Sequence, residues 1–263
     1  MERCTDSVKS GAHKSVYRSR SCGIIGVVTE TAAAETAPRT ARARARAELT
    51  REIVEAARRQ LVTEGPAGLS LRAVARELGM VSSAVYRYFP SRDDLLTRLI
   101  IDAYNAVGDA AEQADAALAR DDYMGRWMAV CHATRDWALA HPQEWALIYG
   151  SPVPGYQAPE DTIGPGTRVS ITLTQVLGEA LQAGRAPAQT EVPEAVSRSM
   201  QGLKDFLPYE IPDSMLVGGV MARTQLFGHI SLELDGQFTN TINDLRTFFD
   251  HVMRVTGESL ALA

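Results

Sequence analysis

From Leu49 onward the apolar positions recur at helical spacing. Leu49, Ile53, Ala57 and Leu61 follow every four residues with Val54 alongside, which predicts an amphipathic helix over about 48–64. Gly65 suits the left-handed position beyond its end, and Pro66 bars continuation. Ser70 is a good N-cap for a second helix, with Leu69 and Val74 at the spacing of a hydrophobic staple. Val74, Ala75 and Leu78 form its inner face, and Gly79 ends it. Met80 and Val81 make a tight turn before a third helix, Ser82 to Phe89, which Pro90 stops. Ser91 opens a fourth helix over about 91–118, with Asp94 as its capping-box partner. Further helices are expected over about 123–140, from Pro142, over about 167–183, near 192–203, over 213–234 and over about 240–255. Three prolines and two glycines make Gly150 to Pro159 a loop. No alternating strand pattern intervenes, so the fold class is all-α.

Met1 to Thr40 has no such periodicity. It is expected to be a disordered extension. Its one apolar cluster, Gly23 to Val28, lies behind more than about twenty mostly polar residues and is too short for a secretory signal. A translation start near Val27 or Val28 is a further expectation, which the mass of the native protein would check. The organisation is then an extension over 1–40, a compact helical module over 41–97 and a larger helical domain over 98–263.

Two short helices joined at Gly79 have the form of a helix-turn-helix. In that motif the second helix enters the major groove while the first braces against the backbone. Here the second would show Ser82, Ser83, Tyr86, Arg87 and Tyr88 outward, with Val85 and Phe89 facing the core. Small residues at Ser82, Ser83 and Ala84 allow close approach to bases. Ser70, Arg72, Tyr86, Tyr88 and Arg92 are placed to contact phosphates. For Ser82 and Ser83 the competing role is capping, and for Tyr86 and Tyr88 it is core packing. Arg42, Arg44 and Arg46 form either a solvated arm or one that follows the groove and phosphates; on an ideal helix they would splay around the axis.

Charge sharpens this division. The net charge is -5, yet residues 1–100 carry a balance of +6 and residues 101–263 one of -11. A basic first part suits a polyanion partner, here double-stranded DNA. No run approaches the ~20 apolar residues that span a bilayer, so no membrane partner is expected. Three cysteines are too few and too scattered for a disulfide framework, which fits a reducing cytoplasm.

The stretch Leu69-Ser70-Leu71-Arg72-Ala73-Val74-Ala75-Arg76-Glu77-Leu78-Gly79, then Ala84-Val85-Tyr86-Arg87-Tyr88-Phe89-Pro90-Ser91-Arg92 and Leu95-Leu96, resembles the DNA-binding domain of TetR-type repressors. The resemblance covers about 48–97 and implies a three-helix DNA-binding domain on a helical domain that dimerises and binds a small effector. Two positions depart from the pattern. Val81 stands where Ser or Thr often caps the recognition helix, so Ser82 is a candidate cap. Tyr88 stands where a phosphate-contacting His is frequent. Further on, Trp137-Ala138-Leu139-Ala140-His141-Pro142 and Tyr149 to Tyr156 are similar to the WHG subclass of C-terminal domains.

In the C-terminal domain, Trp127, Trp137 and Trp145 crowd with Met128, Cys131, Tyr149 and Tyr156. Such a cluster either lines an apolar pocket for an unknown small-molecule effector or is plain core; His132 and His141 add polarity. The last two helices suit a four-helix bundle with a second subunit, through Val220, Phe227, Ile230, Leu234, Leu245, Phe248 and Phe249; core within one chain is the alternative. No phosphate loop, nucleophile elbow or metal-ligand spacing occurs, so neither enzyme activity, cofactor nor metal is expected. The expected function is a ligand-released repressor binding a palindromic operator as a homodimer. The competing reading is a carrier or enzyme with a vestigial DNA-binding domain.

Overall fold

The computed structural model describes residues 41–187, 190–206 and 210–263. The expectations for residues 1–40, including the translation start, lie outside the described residues. Among the described residues there is no strand. The helices are α1 (Ala41–Glu64), α2 (Leu71–Glu77), α3 (Ser82–Val85), α4 (Arg92–Ala116), α5 (Tyr123–Ala140), α6 (Pro142–Tyr149), α7 (Ile163–Gln182), α8 (Glu194–Ser199), α9 (Gln201–Phe206), α10 (Asp213–Leu234) and α11 (Leu245–Ser259). No described helix is long and apolar enough to cross a membrane.

Several boundaries differ from the sequence reading, each for a local reason. α1 starts at Ala41 because alternating Ala and Arg are both strong helix formers, so Arg42, Arg44 and Arg46 are helical. α7 starts four residues early, since Pro165 lies in the first turn, where its missing N–H needs no partner. The helix expected near 192–203 breaks at Met200 into α8 and α9. α11 begins at Leu245 and not near 240. Gly236 (φ 69°) and Asn240 (φ 63°) turn the chain left-handed, and the Asp244 carboxylate caps Thr247 N–H at 3.0 Å.

Two apolar cores meet on α4. Ile53, Leu61, Val74, Val85, Phe89, Leu95 and Leu99 belong to the first, joined by Leu147 from α6. Ala103, Val107 and Ala111 belong to the second, with Trp127, Leu173, Leu226, Ile230 and Phe249. The division falls between Ile100 and Ala103, so one rigid helix serves both cores. Its start is fixed by a reciprocal capping box: Ser91 Oγ accepts from Asp94 N at 3.1 Å, and Asp94 Oδ2 accepts from Ser91 N at 2.9 Å.

Candidate nucleic-acid interface and effector cavity

The helix-turn-helix is built from local signals. Ser70 caps α2 by accepting from Ala73 N at 3.4 Å, and its own N–H donates to Gln60 Oε1 at 3.1 Å. Leu69 and Val74 are both buried, as a staple requires. At the turn, Gly79 has φ 64°, a conformation costly for any residue with a Cβ, and Met80 N–H closes onto Ala75 O at 2.8 Å. Val81 is the N-cap of α3 and makes no side-chain cap. Ser82 is therefore the first helical residue and does not replace the missing cap. α3 proper is one turn, extended to Phe89 by tighter bonds from Arg87 N–H to Ala84 O and from Tyr88 N–H to Val85 O. The recognition element is thus shorter as an α-helix than its pattern suggested.

Its inner face follows the sequence reading, whereas Ser82 and Tyr88, expected outward, are half-buried. Val85 and Phe89 are buried; Ser83, Tyr86 and Arg87 are exposed; Ser82 and Ala84 are half-buried. Tyr88 is half-buried against the first core, and the Arg46 guanidinium stacks on its ring at 4.9 Å from the centroid. Tyr88 thus packs and at the same time holds an arginine of the basic segment.

The arginines divide into two groups. Arg58 reaches Glu55, Asp102 and Glu144, and Arg59 donates to Glu77 at 2.6 Å. Arg72, Arg76 and Arg87 are exposed and have no carboxylate within 4.0 Å among the described residues. Arg87 shares the recognition element with exposed Ser83 and Tyr86, Arg72 lies in the first turn of α2, and Arg76 lies in its last turn, in a groove with Gln60, Glu64 and Glu77. Arg92 departs from the expectation of phosphate contact. Its Nη2 donates to Pro66 O (2.8 Å) and Ala67 O (3.3 Å), and its Nε to Leu69 O (3.1 Å). It ties the start of α4 to the turn before α2, where Pro66 O also accepts weakly from Leu69 N–H.

Beside the second core a cavity of about 80 Å³ opens between α5, α7, α9 and α10. Trp127, Leu173, Leu177, Met215 and Leu216 give it an apolar wall; Ser170, Thr174 and Arg223 supply the polar atoms. Of the aromatic and sulfur residues expected there, only Trp127 lines it, with its indole N–H on Met253 O at 2.8 Å. The rest are corrected to other places. Met128 and Cys131 are core, and burial pushes the Cys131 thiol well up, which keeps it an unreactive thiol. Trp137 stacks on His141, whose Nδ1 lies 2.9 Å from Trp137 O, at the junction of α5 and α6. His132 sits 3.2 Å from Asp250. Trp145 and Tyr149 pack on each other and on Phe227, with Trp145 Nε1 donating to Ser231 Oγ at 3.0 Å. Tyr156 shares a 2.8 Å hydrogen bond with Thr97 on α4.

The expected interface residues also divide. Ile230 and Phe249 are wholly buried in this chain's own core, so they cannot be the contact surface with another subunit. Phe227 and Leu234 pack against that core. Leu245 is half-buried, whereas Val220 and Phe248 are exposed. Met221 and Leu232 on α10 and Val255 on α11, absent from the sequence reading, are exposed as well, Met221 at 67%.

A helix-turn-helix with uncompensated arginines, carried on a helical body with its own cavity, defines a DNA-binding regulator. The chain matches the family model for bacterial regulatory proteins of the tetR family over residues 53–99, and that for the tetracyclin repressor-like C-terminal domain over 127–256. It is 39% identical over 220 residues to the HTH-type transcriptional regulator Rv1816 of Mycobacterium tuberculosis, covering 82% of this chain and 94% of that protein. The regulator Mb1846 of Mycobacterium bovis matches equally. The crystal structure of the regulatory protein SCO4313 aligns with a TM-score of 0.69 at 34% identity, over 82% of this chain and 98% of that one. The chain belongs to the TetR family of transcriptional regulators.

Proposed function

We propose that the protein is a ligand-released repressor that binds a near-palindromic operator as a homodimer. The observation that carries the DNA contact is the exposed, unpaired Arg87 beside exposed Ser83 and Tyr86 on the recognition element, with unpaired Arg72 in the first turn of α2. Arginines that meet phosphate have no use for internal partners, and counterion release then drives binding. Each subunit would place Ser82 to Tyr88 in a major groove, with half-sites about one helical turn (~34–36 Å) apart. Arg42, Arg44, Arg46 and Ser70 would reach the flanking backbone, and Ala84 would leave room at the base edges.

A second copy is supported by exposed Met221, Leu232, Phe248 and Val255 on the last two helices, an apolar set that water would otherwise cover. Release by an effector is supported by the helices that border the cavity. Arg168 on α7 holds α4 through Asp109 and Glu112 (2.5 and 2.6 Å), and Tyr104 on α4 donates to Ile148 O on α6. Occupancy that shifts α7 therefore bears on α4, which also packs the helix-turn-helix. A coupling of ~1–3 kcal/mol is enough to change operator occupancy.

Gel-shift titration of the protein's own upstream DNA tests this. Tyr86→Ala should weaken binding to all sequences by a similar factor, while Ser83 or Ala84 variants should change sequence preference. Arg72→Ala should lower the slope of log affinity against log salt by about one. A Tyr86→Ala protein with intact affinity at moderate salt overturns the docking.

A further inference from the structure

We propose that the cavity between α5, α7, α9 and α10 takes an amphipathic organic acid, and that Arg223 recognises its carboxylate. This deepens the effector reading above and rests on it. Arg223 is the only Lys or Arg in the 22 residues of α10. On the other helices around the cavity each cation has an acidic partner. Arg126 is paired with Asp115 and Glu179, Arg135 with Glu233, Arg168 with Asp109 and Glu112, and Lys204 with Asp213. Arg223 has no carboxylate within 4.0 Å among the described residues. Its Nε donates to Ser170 Oγ at 2.8 Å, and the guanidinium lies 4.7 Å from the centre of the Phe227 ring. No described group accepts from its two Nη nitrogens. Arg223 is exposed, its Nε is tied to Ser170 and its fork is left available, which is the arrangement a bidentate carboxylate entering from solvent needs.

The rest of the wall sets the remainder of the ligand. Trp127, Leu173, Leu177, Met215 and Leu216 offer nothing to a second charge. A volume of about 80 Å³ suits a short aliphatic chain or a single ring. One guanidinium matches one carboxylate; a phosphate monoester, nearly doubly charged, would call for further cations, and among the described residues of the wall there are none. The charge of Arg223 also reaches the hydroxyls of Tyr104 and Tyr149. Burial, the larger effect, raises both phenols, and Arg223 acts against it. These phenols stay protonated, so they place no negative charge beside Arg223.

The test is calorimetric titration of the full chain, without DNA, with butyrate, hexanoate, octanoate, decanoate and benzoate, each beside its matching alcohol. At least one acid should bind about tenfold tighter than its alcohol, the weight of a charge-assisted contact. Arg223→Gln should abolish that difference and leave the alcohol's affinity unchanged, and Arg223→Lys should restore part of it. A Cβ at Gly219 would meet Leu177 Cδ1 at 3.3 Å, so Gly219→Leu should fill the space and block acid and alcohol alike. The proposal is overturned if no acid of the series binds, if acids and alcohols bind equally, or if Arg223→Gln keeps the preference. A parallel gel-shift separates the two readings. Acid that binds without releasing DNA refutes the effector role but not the site. Release by neutral compounds that is indifferent to Arg223 refutes the site but not the repressor.

Discussion

Arg92 and His229 show how a single side chain takes its role from what surrounds it. The motif around Arg92 points to phosphate, but three backbone carbonyls before α2 occupy its donors. Arg92→Ala should cost about 1–3 kcal/mol of stability by removing the donor to Ala67 O and Leu69 O and one of two donors to Pro66 O, read as a lower midpoint in urea unfolding. Were only operator affinity to fall, the phosphate role would stand. His229 is 3% exposed among Phe238, Phe248 and Phe249, and Glu233 and Arg135 face it. Burial holds its pKa below the ordinary value, outweighing the opposite pull of Glu233. A depressed histidine stabilises the fold fully above its unfolded pKa of ~6.5 and loses that contribution as pH falls toward the folded value. His132, lowered mainly by burial too, adds in the same direction. Melting temperatures between about pH 7.5 and about pH 5.5 should fall less for His229→Leu than for the parent; equal losses would exclude His229 as a source.

Among the elements, α4, α5 and α7 are joined by a buried ion network. Arg126 is fully buried, with Nε on Asp115 Oδ1 and Nη1 on both Glu179 Oε2 and Arg120 O, all at 2.8 Å. Burial alone would raise the Asp115 carboxyl, but hydrogen bonds from Arg126 and Arg120 outweigh it and hold the group below its usual value. Arg126→Ala would leave Asp115 with Arg120 as its one remaining cation, so thermal and urea unfolding should show a loss of about 1–3 kcal/mol. Arg126→Met with Asp115→Leu should recover much of it, since no unpaired charge remains. At this scale the sequence was highly readable wherever the signal was local. The α5 boundaries, the Ser70 and Ser91 caps and the Gly79 turn depend on neighbours within about five residues in the chain. The start of α11 was misjudged because Ile242 continues the helical period while Asn240 and Asp244 close it off. Periodicity does not register a left-handed residue.

For the whole molecule, the exposed residues of α10 and α11 carry the association prediction. Met221→Glu with Phe248→Glu should give a monomer by light scattering, with the helical content retained and operator binding lost, because one half-site contributes too little affinity. A double variant that stays dimeric and active would place the interface elsewhere. The helix-turn-helix was largely determined by the sequence alone, since its caps, turn and most of its core face fall within about fifty consecutive residues; Leu147, from α6, is a distant addition to that core. The tertiary structure decided the cavity. Trp127, Ser170, Leu203 and Arg223 come from four helices, and only packing brings them together. Of the residues singled out in the sequence for an effector site, Trp127 lines it, while Arg223, a lone cation in an apolar helix, was not among them. Whether such a cation is paired or left open depends on which carboxylates the fold brings near it, and periodicity along one helix holds no information about those distances.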